Sequence, residues 1–151
     1  MKAVLQRVKE CSLKADGEHY SQTSKGLLVL LGVCTGDTKK DAEKLASKIV
    51  NLRIFEDKDG RMNLNINDLA INGEIMVVSN FTLYGDCRKG RRPDFFKAEK
   101  PGIARELYEY FVSLLKSEVK TVQTGVFGAD MEIDMVADGP VTLIIESSEI
   151  A

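Results

Sequence analysis

The stretch Gly26-Leu27-Leu28-Val29-Leu30-Leu31-Gly32-Val33 is the most informative part of the sequence for the fold. Its residues are almost all apolar, and Gly26 and Gly32 bound the run of leucines and valine. A short apolar run with such boundaries is typical of a strand covered on both faces, because a half-exposed strand alternates apolar and polar residues. The stretch therefore predicts a strand at the centre of a β-sheet.

Both neighbouring segments have recognisable patterns. Before the central strand, apolar residues alternate loosely up to Leu13, and the turn dipeptide Asp16-Gly17 follows, which predicts an opening β-hairpin. After it, the polar pair Asp37-Thr38 can cap a helix, and helical spacing predicts that this helix spans about residues 38 to 53. The apolar positions on its face are Ala42, Leu45, Ala46 and Ile49.

The second half of the chain repeats this mixture of strand and helix signals. An apolar, β-branched segment begins at Glu74 and turns polar at Ser79 and Asn80, and a second helix is predicted around residues 104–115. Two further strands, 131–135 and 141–145, are predicted to form a final hairpin across Asp138-Gly139-Pro140. No linker or repeat divides the chain, so we expect a single α/β domain over residues 1–151 in which sheet dominates.

Composition limits the classes of function. The formal net charge of −2 disfavours sequence-independent binding to long nucleic acid, so we expect no DNA partner. No apolar run approaches the length of a membrane span, and we expect no membrane partner. The three cysteines are far apart and odd in number, which favours a reducing, cytoplasmic location over a disulfide framework.

Common catalytic and nucleotide-binding signatures are missing from the sequence. There is no GxSxG, HExxH, Walker or GxGxxG motif, and the single histidine, His19, lies in a polar stretch that predicts a surface position. No cluster of ligand residues implies a metal or a cofactor. Two features remain, Ser79-Asn80-Phe81-Thr82-Leu83 and Gly139-Pro140, and separately they indicate a strand end and a turn.

Together, Ser79-Asn80-Phe81-Thr82-Leu83 and Asp138-Gly139-Pro140-Val141-Thr142 resemble two motifs of the D-aminoacyl-tRNA deacylase family. The resemblance covers the whole chain. It extends to Gln6-Arg7-Val8, the central strand, Arg92-Pro93-Asp94-Phe95 and Gly125-Val126-Phe127-Gly128-Ala129-Asp130-Met131. The sequence departs from the family at Asn80, where Gln is usual, and at Ala137, where Asn is usual.

The resemblance implies a strongly curved, barrel-like β-sheet with two main helices, and a homodimer with its active site at the subunit interface. It implies hydrolysis of the ester that joins a D-amino acid, or glycine, to the terminal adenosine of tRNA. In this family a cis Gly-Pro pair of one subunit enters the other subunit's pocket, where its two carbonyl groups exclude L-amino acids by steric clash. The pair corresponds to Gly139 and Pro140.

Roles for other residues also follow from the resemblance. Ser79, Asn80, Phe81 and Thr82 correspond to the catalytic segment, in which the protein positions the ester and the 2′-hydroxyl of the terminal adenosine assists hydrolysis. The implied substrate-binding residues, besides Gly139 and Pro140, are Arg7, Phe127, Met131 and Thr142. Arg7 is expected to brace the Gly-Pro segment, and Phe127 and Met131 are expected to line the adenine pocket.

Two alternatives to a D-selective enzyme remain open from the sequence. One is a module that binds the 3′ end of tRNA, or other RNA, without hydrolysis. The other is the related deacylase type in which the Gly-Pro bond is trans and some L-aminoacyl-tRNA is accepted. Arg88, Lys89, Arg91 and Arg92 form a basic run that fits a phosphate contact, although most such runs are simply solvated.

Overall fold

The computed structural model describes residues 1–151 and contains eight strands and two α-helices. In chain order these are β1 (Lys2–Ala15), β2 (Glu18–Thr23), β3 (Gly26–Gly32), α1 (Lys39–Asn51), β4 (Phe55–Glu56), β5 (Met62–Leu64), β6 (Glu74–Ser79), α2 (Pro101–Glu118), β7 (Val122–Thr124) and β8 (Met131–Glu146). Short 3-10 turns follow β6 at Phe81–Tyr84 and β8 at Ser147–Glu149.

The predicted central strand is confirmed as β3. It pairs antiparallel with β1 on one side and parallel with β6 on the other, and β6 pairs parallel with β7. Alternate β3 side chains enter two different apolar clusters. Leu27, Val29 and Leu31 join the main core with both helices, whereas Leu28 packs on the opposite face with residues such as Met76. Coverage of both faces is the physical reason for the uninterrupted apolar run.

The long strand β1 organises the rest of the sheet. Its first half pairs with β3, and its second half pairs with β2 across the predicted hairpin, in which Asp16 and Gly17 both have positive φ. The sheet curves enough to bring β2 towards β7, since the Ser21 hydroxyl donates to the carbonyl oxygen of Thr124 at 2.7 Å. The result is the curved, barrel-like mixed sheet expected from the sequence.

The predicted final hairpin is wrong, because residues 131–146 form one strand, β8. Both halves of β8 pair antiparallel with β1, the first with Val8–Ala15 and the second with Lys2–Gln6. Two strands of a hairpin run in opposite directions, so they cannot both be antiparallel to the same straight partner. The chain instead bulges, and the four residues from Asp138 to Val141 lie opposite the single residue Arg7.

Both predicted helices are confirmed. Thr38 is the N-cap of α1 and forms a capping box with Asp41, so the polar signal before the helix has the role expected of it. The apolar faces of α1 and α2 pack together and onto β3 and β6, where Leu45, Phe111 and Leu115 are fully buried. His19 is exposed, as predicted. Neither helix is long and apolar enough to cross a membrane.

Candidate functional site

A pocket of about 850 Å³ opens at the carboxyl ends of the parallel strands β3 and β6, beside the amino terminus of α2. In sheets that contain parallel strands, this edge is where connecting loops leave room for a ligand. The pocket is mainly apolar, with Leu31 and Val33 from the end of β3 and Ala104 from α2 in its wall. Its volume lies in the range of small-molecule and cofactor sites.

Ser79, Asn80, Phe81 and Thr82 all line this pocket. Strand β6 ends at Ser79, and the Asn80 side chain caps the following 3-10 turn by accepting a hydrogen bond from the Thr82 backbone N–H at 3.2 Å. The Thr82 hydroxyl donates to the same Asn80 oxygen. The polar residues that interrupt the apolar pattern therefore form a capped turn at the pocket wall, where the chain leaves the core.

The opposite wall of the pocket comes from the connection between β7 and β8. Phe127 and Met131 lie there, so the structure brings both of these predicted residues into contact with the pocket. Buried Gly125 allows Met131 to approach, since a Cβ at this position would lie 2.6 Å from the Met131 sulfur. The aromatic ring of Phe127 packs against Tyr108 with ring centroids 5.8 Å apart.

Tyr108 is a pocket residue that the sequence indicated only as part of a buried helical face. Its hydroxyl donates to the carbonyl oxygen of Val77 at 3.0 Å, which ties α2 to β6 beneath the pocket. Burial, with smaller contributions from Tyr20 and Glu109, raises the pKa of Tyr108, so the phenol remains a protonated donor at neutral pH. A buried tyrosine hydroxyl needs a hydrogen-bond acceptor. A tyrosine on the buried face of the predicted helix was therefore the only sequence signal for this contact.

The rim of the pocket carries charge and a second aromatic pair. Glu99, Lys100 and Asp130 lie at the rim, and Lys100 is the N-cap residue of α2, whose amino terminus bears partial positive charge. Phe81 packs edge to face against Phe95, with ring centroids 5.2 Å apart. Phe81, Phe95 and Asp130 lie in segments that carry the family resemblance, whereas Glu99 and Lys100 have no distinctive sequence pattern.

The remaining predicted residues, Arg7, Gly139, Pro140 and Thr142, do not line the pocket of their own chain. They lie along β1 and the bulge of β8. Gly139 and Pro140 are exposed, and the peptide bond between them is cis. The Thr142 hydroxyl donates to the Gln6 side chain at 2.7 Å. The structure thus separates the predicted site into two groups within one chain.

Arg7 is buried, with 4% of its surface exposed, and connects three segments. Its Nε donates to the carbonyl oxygen of Asp138 at 3.3 Å, and its Nη1 donates to the carbonyl oxygen of Ile54 at 2.7 Å. The Asp138 carboxylate lies 3.4 Å from Nε. Arg7 therefore contacts the segment that carries Gly139-Pro140, and its effect on substrate binding stays a prediction.

The fold and the pocket define an α/β domain with a substrate-sized cavity at the ends of parallel strands. The model of the D-Tyr-tRNA(Tyr) deacylase family matches residues 4–146. A D-aminoacyl-tRNA deacylase of Desulfatibacillum aliphaticivorans is 54% identical over 147 residues, which are 97% of this chain and 99% of that protein. A D-aminoacyl-tRNA deacylase of Clostridium acetobutylicum is 51% identical over 150 residues, 99% of each chain.

Two solved structures share this fold. A structure described as "c-Myc DNA Unwinding Element Binding Protein" superposes with a TM-score of 0.90 at 39% identity and covers 97% of this chain and 98% of that chain. A "probable eukaryotic D-amino acid tRNA deacylase" has a TM-score of 0.82 at 16% identity, over 96% of this chain and 98% of that one, and shows the shared fold. The chain belongs to the D-Tyr-tRNA(Tyr) deacylase family, which confirms the resemblance seen in the sequence.

Proposed function

We propose that this chain hydrolyses the ester bond of D-aminoacyl-tRNA in the 850 Å³ pocket, releasing free tRNA and a D-amino acid. The observation that carries the proposal is the position of Ser79, Asn80, Phe81 and Thr82 on the pocket wall, in a chain whose relatives are named D-aminoacyl-tRNA deacylases. The mainly apolar wall with Phe127 and Met131 suits an adenine ring, and the capped turn suits the ester.

The chemistry requires no protein nucleophile in this proposal. The Thr82 hydroxyl donates to the amide oxygen of Asn80, and an amide oxygen cannot take up its proton at neutral pH. The 2′-hydroxyl of the terminal adenosine assists the attack instead. The backbone N–H of Phe81, the first residue of the 3-10 turn, stabilises the negative charge on the ester oxygen, since the first N–H groups of a helical turn have no carbonyl partner within it. The Thr82 N–H holds the turn in place through its bond to the Asn80 side chain.

Selection for D-amino acids is assigned to Gly139 and Pro140 of a second subunit in a homodimer. Two observations support this arrangement. Both residues are exposed on the β8 bulge, and neither lines the pocket of its own chain. Their carbonyl groups would accept the substrate ammonium group and clash with an L side chain. Glycine has no side chain to exclude, so glycyl-tRNA is a second substrate.

Paired substrates test the reaction and its chirality together. Purified protein is incubated separately with D-tyrosyl-tRNA, L-tyrosyl-tRNA and glycyl-tRNA, and release of the amino acid is followed. We expect rapid release from the D ester, slower release from glycyl-tRNA and none above background from the L ester. Protection of the D ester without hydrolysis would instead establish a module that binds the 3′ end of tRNA, and equal hydrolysis of both esters would remove the selection mechanism.

Complementation between variants tests the shared site. One variant blocks the pocket, Ser79→Trp, and the other alters the bulge, Gly139→Asp. In an exchanged equal mixture, a dimer of one of each has one intact pocket facing one intact bulge, so about a quarter of wild-type activity returns. Each variant alone is expected to be inactive. Failure of the exchanged mixture to regain activity, with both variants folded and dimeric, would show that the pocket and the bulge do not combine across subunits and would overturn the shared site.

A further inference from the structure

The segment between β6 and α2 contains a closed loop whose tip is strongly basic. Asp86 and Asp94 pair through two backbone hydrogen bonds of 2.8 and 3.1 Å, which close the loop at its base. We call residues 86–94 the basic loop. Its tip carries four exposed cations, Arg88, Lys89, Arg91 and Arg92.

The four cations are not equivalent. Arg88 is held by the Asp86 carboxylate through Nε at 2.9 Å and through Nη2, and this contact holds the pKa of Asp86 well below its usual range. No carboxylate lies within salt-bridge distance of Lys89, Arg91 or Arg92. Arg88 therefore stabilises the base of the loop, while three cations remain free for a polyanion, in a chain whose net charge is −2.

Aromatic residues follow the basic loop directly. Phe95 lines the pocket and packs against Phe81, so the loop joins the pocket wall. The next residue, Phe96, is 90% exposed and belongs to neither apolar cluster. Free cations beside an exposed aromatic ring are the combination that binds single-stranded nucleic acid, because the cations contact phosphates and the ring stacks on a base.

We propose that the basic loop and Phe96 bind the unpaired nucleotides that precede the terminal adenosine of tRNA. Lys89, Arg91 and Arg92 contact their phosphates, and Phe96 stacks on one of their bases. The inference rests on the proposed function, because it takes as its starting point an aminoacylated terminal adenosine in the adjoining pocket. It assigns the affinity for the rest of the strand to residues outside that pocket.

Two variants and two matched controls test this surface. The variants are Arg91→Gln/Arg92→Gln, which removes two free charges, and Phe96→Ala. The controls are Lys58→Gln/Arg61→Gln, exposed cations of the turn between β4 and β5, and Leu69→Ala, an apolar side chain that is 98% exposed. Thermal unfolding of all four verifies that each is folded. Steady-state rates are measured with D-tyrosyl-tRNA and with the D-tyrosyl ester of adenosine, which lacks the preceding nucleotides.

The variant that removes charge and the variant that removes the stacking ring are expected to give different results. The double Gln variant raises KM for D-tyrosyl-tRNA about tenfold, and lowers the slope of log affinity for uncharged tRNA against log salt by about 1.4. Phe96→Ala raises KM about fivefold or more and leaves that slope unchanged. Both variants hydrolyse the adenosine ester at the wild-type rate, and both controls behave as wild type in every assay.

Failure of this inference and failure of the proposed function give different results. If wild type hydrolyses D-tyrosyl-tRNA and the variants match it in KM and in salt slope, the proposed nucleotide-binding surface is wrong. The proposed deacylase function is then still supported. If wild type hydrolyses neither ester, the proposed function fails, and the surface stands only if uncharged tRNA still binds more weakly to both variants. Equal losses on the adenosine ester would show a disturbed pocket and would also overturn the inference.

Discussion

Arg7 lies opposite the β8 bulge and donates from Nε to the carbonyl oxygen of Asp138, 3.3 Å away. The same guanidinium donates to Ile54 before β4 and lies near the Asp138 carboxylate. The planar guanidinium reaches these acceptors from separate nitrogens in a fixed fork, a geometry that the single nitrogen of a lysine ammonium does not reproduce. The position of the Gly139-Pro140 segment therefore depends on a side chain of the neighbouring strand.

Replacing Arg7 by Met should destabilise the protein strongly. The substitution leaves the Ile54 carbonyl without its partner and the Asp138 carboxylate without its cation, which costs about 2–4 kcal/mol in the free energy of unfolding. Urea unfolding measures the change. Arg105→Met is the control, because Arg105 pairs with Glu109 on the exposed face of α2 and its loss costs about 0.5 kcal/mol or less. Equal, small effects of both substitutions would contradict the bracing role.

Gly139→Ala should impair hydrolysis more than it impairs stability. Gly139 has a φ of +122°, and an added Cβ would lie 2.9 Å from the backbone nitrogen of Val141 and 3.3 Å from Arg7, so the bulge must move. We expect kcat/KM for D-tyrosyl-tRNA to fall about tenfold or more if the bulge enters a partner's pocket. Gly60→Ala is the control, since Gly60 also has positive φ but open space around it. Unchanged activity in Gly139→Ala would remove the bulge from the site.

Local patterns predicted much of this fold. The apolar run of β3, the Asp16-Gly17 turn and the Thr38 cap each specify structure through nearby residues, and all three are confirmed. The polar interruption at Ser79 and Asn80 likewise marked the pocket wall. These signals succeed because the interaction that they report is made within a few residues along the chain.

The errors come from long-range contacts. Gly139-Pro140 has the composition of a turn, yet both halves of β8 pair with β1, more than a hundred residues earlier, and this pairing produces a bulge instead. Tyr108 shows a related limit, because helical spacing indicates which face is buried but not that the face also closes a pocket. The separation of Gly139-Pro140 from the pocket is a three-dimensional property that no local pattern encodes.

Thr23→Val should stabilise the protein. Thr23 is 2% exposed, and its hydroxyl oxygen is buried without a hydrogen-bond partner. Replacement by the similarly shaped Val removes the desolvated hydroxyl and is expected to raise the free energy of unfolding by about 1 kcal/mol. Ser21→Ala, two residues away on β2, should have the opposite sign, because the Ser21 hydroxyl donates to Thr124. Urea unfolding of both variants checks the prediction, and destabilisation by Thr23→Val would refute it.

Acid should lower the free energy of unfolding, partly because it protonates Asp41. Burial raises the pKa of Asp41, but the hydrogen bonds from the Thr38 backbone, the Thr38 hydroxyl and the Ser147 hydroxyl outweigh burial and leave it below the ordinary 3.8. A lowered folded-state pKa gives stability that is present above 3.8 and lost as pH falls through the folded value. Unfolding free energies from about pH 6 down to about pH 3 should therefore decline less steeply for Asp41→Asn than for wild type. Parallel declines would exclude Asp41 as a contributor.

Thr82→Ala should retain most of the activity, whereas removal of the substrate's terminal 2′-hydroxyl should abolish most of it. The Thr82 hydroxyl donates to the Asn80 amide oxygen, which is not a base, and the alanine variant keeps the Thr82 backbone N–H that bonds the Asn80 side chain and holds the turn. We expect kcat for Thr82→Ala to stay within about fivefold of wild type and kcat for the 2′-deoxy substrate to fall about a hundredfold or more. Single-turnover rates with D-tyrosyl-tRNA ending in adenosine or 2′-deoxyadenosine measure both effects. The opposite pattern, an inactive Thr82→Ala with an active deoxy substrate, would make Thr82 the nucleophile and require a base that contacts its hydroxyl.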